Sequence, residues 1–122
     1  MSDKAQVVEE ALTILMQLGG KGFLLMTGAK NLFAAGRSES NPHAWLRMDL
    51  QPNQSGANRL KVTVSPTDNY KVEFYHQKLV DFEPVITKEQ VFEEVGAENL
   101  AQIFREVTGY ETRLPTIIRA QN

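Results

Sequence analysis

The stretch Arg59–Tyr75, RLKVTVSPTDNYKVEFY, decides the expected fold because it places two alternating segments on either side of a polar turn. Apolar side chains occupy every second position of both segments: Leu60, Val62, Val64, Tyr70, Val72 and Phe74. Since successive side chains of a strand point to opposite faces, each segment is predicted to be a strand with one apolar face. The intervening SPTDN is rich in turn residues and favours an antiparallel pair.

The same pattern extends outward along the chain. His43–Leu50 alternates in the same way, and the polar loops Arg37–Pro42 and Gln51–Asn58 flank it. Leu79–Ile86 is expected to add an edge strand in which Pro84 interrupts the hydrogen-bonded ladder. We therefore expect an antiparallel sheet of four to five strands, three of them in a meander, with one face on the core.

Helices are predicted on both sides of these strands. Asp3–Leu18 has apolar residues at spacings of three and four and ends at Gly19, and the residues from Leu100 to Val107 show a similar stripe before Gly109. Thr87–Gln90 has the spacing of a capping box, which predicts a short helix from residue 88 to 95. The expected fold class is α+β, with the N-terminal helix and the C-terminal helices packed on one face of the sheet.

The segment Gly22–Thr27, GFLLMT, is a short apolar run bounded by glycines, and its length suits a strand buried on both faces. The residues from Gly28 to Lys30 would form a turn, so that Asn31–Ala35 completes a hairpin. We expect one domain over residues 1–114, followed by a C-terminal tail over 115–122. The expected core is Leu15, Leu18, Phe23, Leu25, Leu46, Val62, Val64, Val72, Phe74, Leu100, Ile103 and Phe104.

The stretch Leu18–Leu32 is the most distinctive part of the chain. It contains Leu-Gly-Gly, a two-residue gap, an aromatic residue and then Met-Thr-Gly-Ala-Lys-Asn. This order resembles a motif of short, uncharacterised proteins of bacteriophages and mobile elements, and the resemblance continues at Asp68–Phe74 and at the residues from Thr108 to Tyr110. It implies a common fold and a mobile-element origin, but it assigns no activity. The motif positions of unknown role are Thr27, Gly28, Lys30 and Asn31.

Composition excludes several classes of chemistry. The 122 residues include no cysteine, which excludes disulfides, thiolate metal sites and cysteine nucleophiles and agrees with a reducing, cytoplasmic compartment. The N-terminus carries acidic residues where a secretory signal would be basic, and its apolar positions are spaced, so we expect neither a signal peptide nor a membrane span.

The remaining residue types do not form the catalytic or cofactor motifs that have a recognisable spacing. His43 and His76 lack the spacing to carboxylates or to each other that a metal site needs. The glycines and lysines around residues 19–31 lack the spacing of a nucleotide-binding loop, and no Gly-x-Ser-x-Gly elbow is present. We therefore expect a protein that is not an enzyme and that has no metal, cofactor or catalytic residue.

One set of side chains points to binding. Residues 20–80 carry eight basic and four acidic residues, whereas residues 81–122 carry four basic and eight acidic residues. On the three meander strands the outward set contains cations and aromatics: Trp45, Arg47, Arg59, Lys61, Lys71 and Tyr75. Single-strand binders combine cations that contact phosphates with aromatic rings that stack on bases, so this set predicts a site for single-stranded nucleic acid.

Two further expectations concern protein partners. The same aromatic and basic face would serve a module that binds and modulates a host or phage protein, and this alternative stays open at the level of sequence. A homodimer is also expected, because the tail contains two adjacent isoleucines and the second sheet face contains aromatic residues. The contact would run through the edge strand, the second sheet face or the C-terminal tail.

Overall fold

The computed structural model describes residues 2–36 and 43–114, with side chains from Glu9 onward. The predicted loop at Arg37–Pro42 and the predicted tail at 115–122 lie outside these ranges. The elements in chain order are α1 Ser2–Leu18, α2 Gly20–Thr27, β1 Lys30–Ala35, β2 Trp45–Asp49, β3 Arg59–Val64, β4 Tyr70–Val80, β5 Glu83–Val95, a 3-10 turn at Ala97–Asn99, and α3 Leu100–Thr108. None of the helices within the described ranges is long and apolar enough to cross a bilayer.

The strands form one antiparallel sheet in the order β1-β2-β3-β4-β5, so every strand pairs with its neighbour in sequence. The α+β class and the central meander are confirmed. Leu46 pairs with Val62, and Val62 pairs in turn with Val72. This register places the apolar residues of β2, β3 and β4 on one face, where the sequence pattern predicted them.

The helices cover this apolar face. Ile14 and Leu18 of α1, Phe23 of α2 and Phe104 of α3 are all buried in one cluster with the strand residues. The Phe23 and Phe104 rings meet edge to face with centroids 4.9 Å apart, an arrangement that aromatic pairs favour. Most of the predicted core is buried or half-buried, but Leu25 is 67% exposed and its prediction was wrong.

Leu25 is exposed because Gly22–Thr27 belongs to a helix and not to the predicted strand. Gly19 and Gly20 have φ values of 140° and 65°, which turn the chain sharply after α1 and start α2. The buried residues of α2 are then Gly20, Phe23 and Thr27, at helical spacing. A six-residue apolar run does not distinguish a strand from a helix, and packing of Phe23 on the core favours the helix here.

The predicted helix over residues 88–95 was also wrong, because this segment belongs to strand β5. It pairs with β4 along most of its length, from Tyr70 opposite Val95 to Val80 opposite Glu83. The predicted edge strand Leu79–Ile86 is therefore a hairpin that turns at Asp81. Strand pairing between distant residues satisfies more backbone groups than one short capped helix, and this overrides the local capping-box signal.

The C-terminal part of the described chain closes over the corner between α1 and α2. Thr112 is fully buried there, and its carbonyl oxygen lies against the α-carbon of Gly19. A β-carbon at Gly19 would overlap that oxygen, and the φ of Gly19 is one that L-residues rarely adopt. Both the turn and the closing segment therefore require glycine at this position.

The Gly19 corner generates a stability prediction. Gly19→Ala should lower the free energy of unfolding by about 2 kcal/mol or more, because strain at positive φ adds to the overlap with Thr112. Gly22→Ala is the matched control, since Gly22 lies within α2 and its β-carbon would meet only ordinary contacts. The control should raise stability by roughly 0.5–1 kcal/mol. Urea unfolding of both variants tests the prediction, which equal effects would contradict.

Candidate nucleic-acid interface

The sheet face opposite the helices, here called the outer face, collects all six side chains that the sequence predicted as a binding set. Arg47 pairs with Lys61, Arg59 pairs with Tyr75, and Lys71 pairs with Thr63. Because paired residues of adjacent strands project to the same side, these registers bring the set together. The outer face comprises Phe33, Trp45, Arg47, Asp49, Arg59, Lys61, Thr63, Lys71, Glu73 and Tyr75.

Cations and aromatic rings alternate at the centre of this face. The Lys61 ammonium lies 4.9 Å from the centroid of the Trp45 ring. The Arg47 guanidinium lies 5.9 Å from the Trp45 ring and 5.2 Å from the Phe33 ring. At these distances a positive charge is attracted to the negative face of an aromatic ring. The contacts hold the long side chains of Arg47 and Lys61 in place on the sheet.

Phe33 is the residue of this cluster that sequence reasoning missed. It lies on β1 directly opposite Arg47, and its side chain is 53% exposed. The signal in the sequence is weak, since the local pattern predicts this segment as the second strand of a hairpin with Gly22–Thr27. Only the pairing of β1 with β2 places Phe33 beside Arg47.

The charges on the outer face are not uniform. Arg59 forms an ion pair with Asp49 at 3.1 Å, and Asp49 also accepts a hydrogen bond from the Asn31 side-chain amide at 2.7 Å. Glu73 lies opposite Lys61 across β3 and β4. Arg59 and Lys61 therefore each face a carboxylate across a strand pair, whereas Arg47 lies opposite Phe33 and Lys61, and Lys71 lies opposite Thr63.

Tyr75 has a different environment from the other aromatics. Its side chain is buried, and this burial raises its pKa, while the nearby Arg47 and Arg59 charges act in the opposite direction. Tyr75 thus lies close to the two arginines and leaves little ring surface on which a base can stack. The sequence placed it on the correct face but did not reveal its burial.

The motif residues Thr27, Gly28, Lys30 and Asn31 lie at the edge of the sheet, where α2 ends and β1 begins. Gly28 adopts the left-handed conformation that ends the helix, and its N–H donates to the Leu24 carbonyl. The Thr27 hydroxyl donates to the Phe23 carbonyl and accepts from the N–H of Ala29. Because these N–H groups bond within the chain, the geometry supports a connector and not a phosphate cradle.

Residues able to hold a metal ion do not converge within the described ranges. Over residues 2–36 and 43–114, no group of three or more histidine, aspartate or glutamate side chains has a suitable arrangement. His43 precedes β2, whereas His76 lies on β4 beyond the end of β3. The outer face is therefore the cluster of functional side chains that the described fold brings together.

The raised pKa of Tyr75 generates a prediction about pH. As the pH rises above the ordinary tyrosine value of 10.0, the unfolded chain ionises before the folded chain, so folding stability falls. Tyr75→Phe removes this contribution and should reduce the loss of stability above pH 10, with parallel profiles below it. Urea unfolding at a series of pH values tests this in both proteins. Equal losses above that pH would contradict the assignment.

Comparison with known proteins adds no function to this description. No protein-family model, curated protein or solved structure matches the chain. The residues of the outer face and their geometry therefore carry the functional inference.

Proposed function

We propose that the protein is a non-enzymatic module that binds single-stranded nucleic acid through its outer face. The observation that carries the proposal is the row of Phe33, Arg47, Trp45 and Lys61, in which rings and cations alternate at 4.9–5.9 Å. A single strand offers the same alternation, since each nucleotide presents one flat base and one phosphate. Both partners therefore alternate flat and charged groups, which suits a face-to-face contact.

The binding mode follows from the chemistry of the individual side chains. Phe33 is the more accessible of the two rings in this row and offers a stacking surface for a base. The Arg47 guanidinium is planar, so it can remain between the rings and extend the stack. Lys61 has a flexible stem and a compact charge, and it leaves the Trp45 ring to contact a phosphate. A second phosphate meets Lys71, one strand further along the sheet.

This arrangement favours single strands with little dependence on sequence. Stacking requires bases that are splayed out of a duplex, and every base presents a π face to the ring. The identified groups of the central row are rings, a guanidinium and an ammonium, which recognise base faces and phosphates rather than the edges of particular bases. We therefore expect affinity to depend on salt and length more than on base order.

The wider setting is part of the same proposal. The absence of cysteine and the resemblance of the Leu18–Leu32 motif to proteins of bacteriophages and mobile elements support a cytoplasmic protein of mobile-element origin. A homodimer would place two outer faces in one assembly, and two linked sites raise the apparent affinity for a long strand.

A second candidate is a module that binds an acidic surface of a host or phage protein. The observation that favours it is the position of Lys61 and Arg47 over Trp45, which already covers part of the ring that a base would use. An acidic surface would engage the same cations without displacing them. Oligonucleotide binding separates the two candidates, because this second module has no affinity for single strands at low salt.

The first test is the salt dependence of oligonucleotide binding. With about two phosphate contacts, at Lys61 and Lys71, the logarithm of affinity should fall with the logarithm of salt at a slope of about −1.4. Lys61→Glu should weaken binding to all sequences about equally and reduce the magnitude of the slope by roughly 0.7. Lys21→Glu has the same charge change on an exposed position of α2 and should leave the slope unchanged. No binding at low salt, or equal effects of the two variants, would overturn the proposal.

The second test concerns stacking. Phe33→Ala should weaken oligonucleotide binding by roughly 5- to 150-fold, as expected for the loss of one stacked base. Leu25→Ala removes an exposed apolar side chain on α2, outside the outer face, and should have little effect on affinity. Fluorescence of Trp45, the only tryptophan, should be quenched on binding in wild type. Unchanged fluorescence at saturation would exclude stacking on this face.

A further inference from the structure

The hairpin formed by β4 and β5 extends well beyond the sheet. Pairing between β3 and β4 ends at Tyr75, whereas pairing between β4 and β5 continues to Val80 opposite Glu83. Residues 78–87, here called the arm, therefore form a two-stranded ribbon, and every one of them is exposed. A two-stranded ribbon without a packed face is marginally stable in water, so its apolar side chains gain from a partner.

The arm carries an unusual number of exposed apolar side chains. They are Leu79, Val80, Phe82, Val85 and Ile86. Phe82 lies in the turn and is 96% exposed, the most exposed of the large apolar residues of the described chain. The register places Leu79 and Ile86 on one face of the ribbon and Val80 and Val85 on the other, with Phe82 in the turn. Exposed apolar clusters mark interaction sites in soluble proteins.

The backbone at the tip gives a second, independent observation. Asp81 and Phe82 have φ values of 53° and 67°, the left-handed conformation that tight two-residue hairpin turns require. Such turns favour asparagine or glycine, and an aromatic residue at positive φ is a genuine outlier. The Phe82 side chain makes little contact within the folded monomer, because it is almost fully exposed. Strain retained at a tip of this kind points to a contact made by the side chain.

The chain also carries an apolar groove of side-chain size. It lies between α1 and β1, has a volume of about 180 Å³, and is lined by Ala11, Leu12, Leu15, Leu32, Phe33, Ala34 and Leu46. Small-molecule sites usually measure about 300–1,000 Å³, so this groove suits a single apolar side chain better than a metabolite. Leu12 and Phe33 at its rim are both more than half exposed.

The arm of a chain does not reach its own groove. β1 and β5 are the two edges of the sheet, about four interstrand spacings or roughly 19 Å apart. The groove residues of β1 are level with Leu46 in the middle of the sheet, whereas the arm projects past the end of β3. The arm can therefore fill this groove only in another molecule.

We infer that the arm of one copy docks into the groove of a second copy, with the Phe82 ring in the groove, in a reciprocal twofold exchange. Charge supports this pairing, since the arm tip carries Asp81 and Glu83 while Lys30 begins β1 and Arg47 flanks it. One buried phenylalanine covers roughly 150–250 Å², too little for a stable contact alone. Two reciprocal arms with their flanking aliphatic residues provide a larger interface, and twofold symmetry closes the assembly.

The first measurement uses the tip. Wild type should be a dimer by light scattering at high micromolar concentration, and Phe82→Asn should raise the dimer dissociation constant by at least about tenfold. Asparagine tolerates positive φ, so this variant should melt at the same or a higher temperature when compared as a monomer. A monomeric wild type, or a Phe82→Asn protein that dimerises like wild type, would overturn the inference.

The second measurement identifies the receptor of the arm. Leu12→Glu charges the groove and should also give a monomer, whereas Leu25→Glu charges a more exposed site on α2 outside the groove and should not. A mixture of Phe82→Asn and Leu12→Glu chains restores one of the two arm–groove contacts, so it should associate more tightly than either variant alone and more weakly than wild type. Association of the mixture no tighter than that of either variant, or loss of the dimer in Leu25→Glu, would overturn the inference. None of these outcomes depends on oligonucleotide binding.

Discussion

The register of β2, β3 and β4 is the constraint on which the rest of the structure depends. Because side chains alternate with a period of two, a slip of one residue in β3 would move Val62 to solvent and Lys61 into the core. The same pairing therefore builds the apolar face that the helices cover and the outer face that carries the cations. Neither face can be changed without the other, which ties the stability of the fold to the geometry of the candidate site.

The two edge strands of the sheet are protected in different ways against pairing with strands of other molecules. β1 is short and has an irregular register after Lys30, where Asn31 adopts a positive φ, and α1 packs beside it. β5 is long, but it carries irregularities near Lys88 and Glu94, both with positive φ. Bulges and charged residues on an edge oppose uncontrolled pairing with other strands. The docking proposed for the arm uses side chains and does not require a free backbone edge, so it does not lead to uncontrolled strand pairing.

Sequence alone predicted the parts of the fold that follow from local periodicity. The alternation around Val62 and the stripe of α3 were sufficient for the meander and the last helix. GFLLMT and the residues 88–95 were misassigned, because packing of Phe23 and pairing with β4 decide them, and neither contact is local. For the candidate site, alternation was sufficient to group the six outward residues. Predicting the place of Phe33 required the register of β1, and predicting the burial of Tyr75 required the positions of its arginine neighbours.

Residues with positive φ fall into two groups, those whose conformation serves the fold and those whose conformation does not. Gly28 and Gly109 end helices in the left-handed conformation, where glycine carries no steric penalty, so sequence and structure agree. At the tip of the arm the same backbone region holds Phe82, against the local preference and without a contact to the core. Conflicts between local preference and fold are expected mainly where function requires them. The arm is for that reason better understood as an element built for contact than as an extension of the sheet.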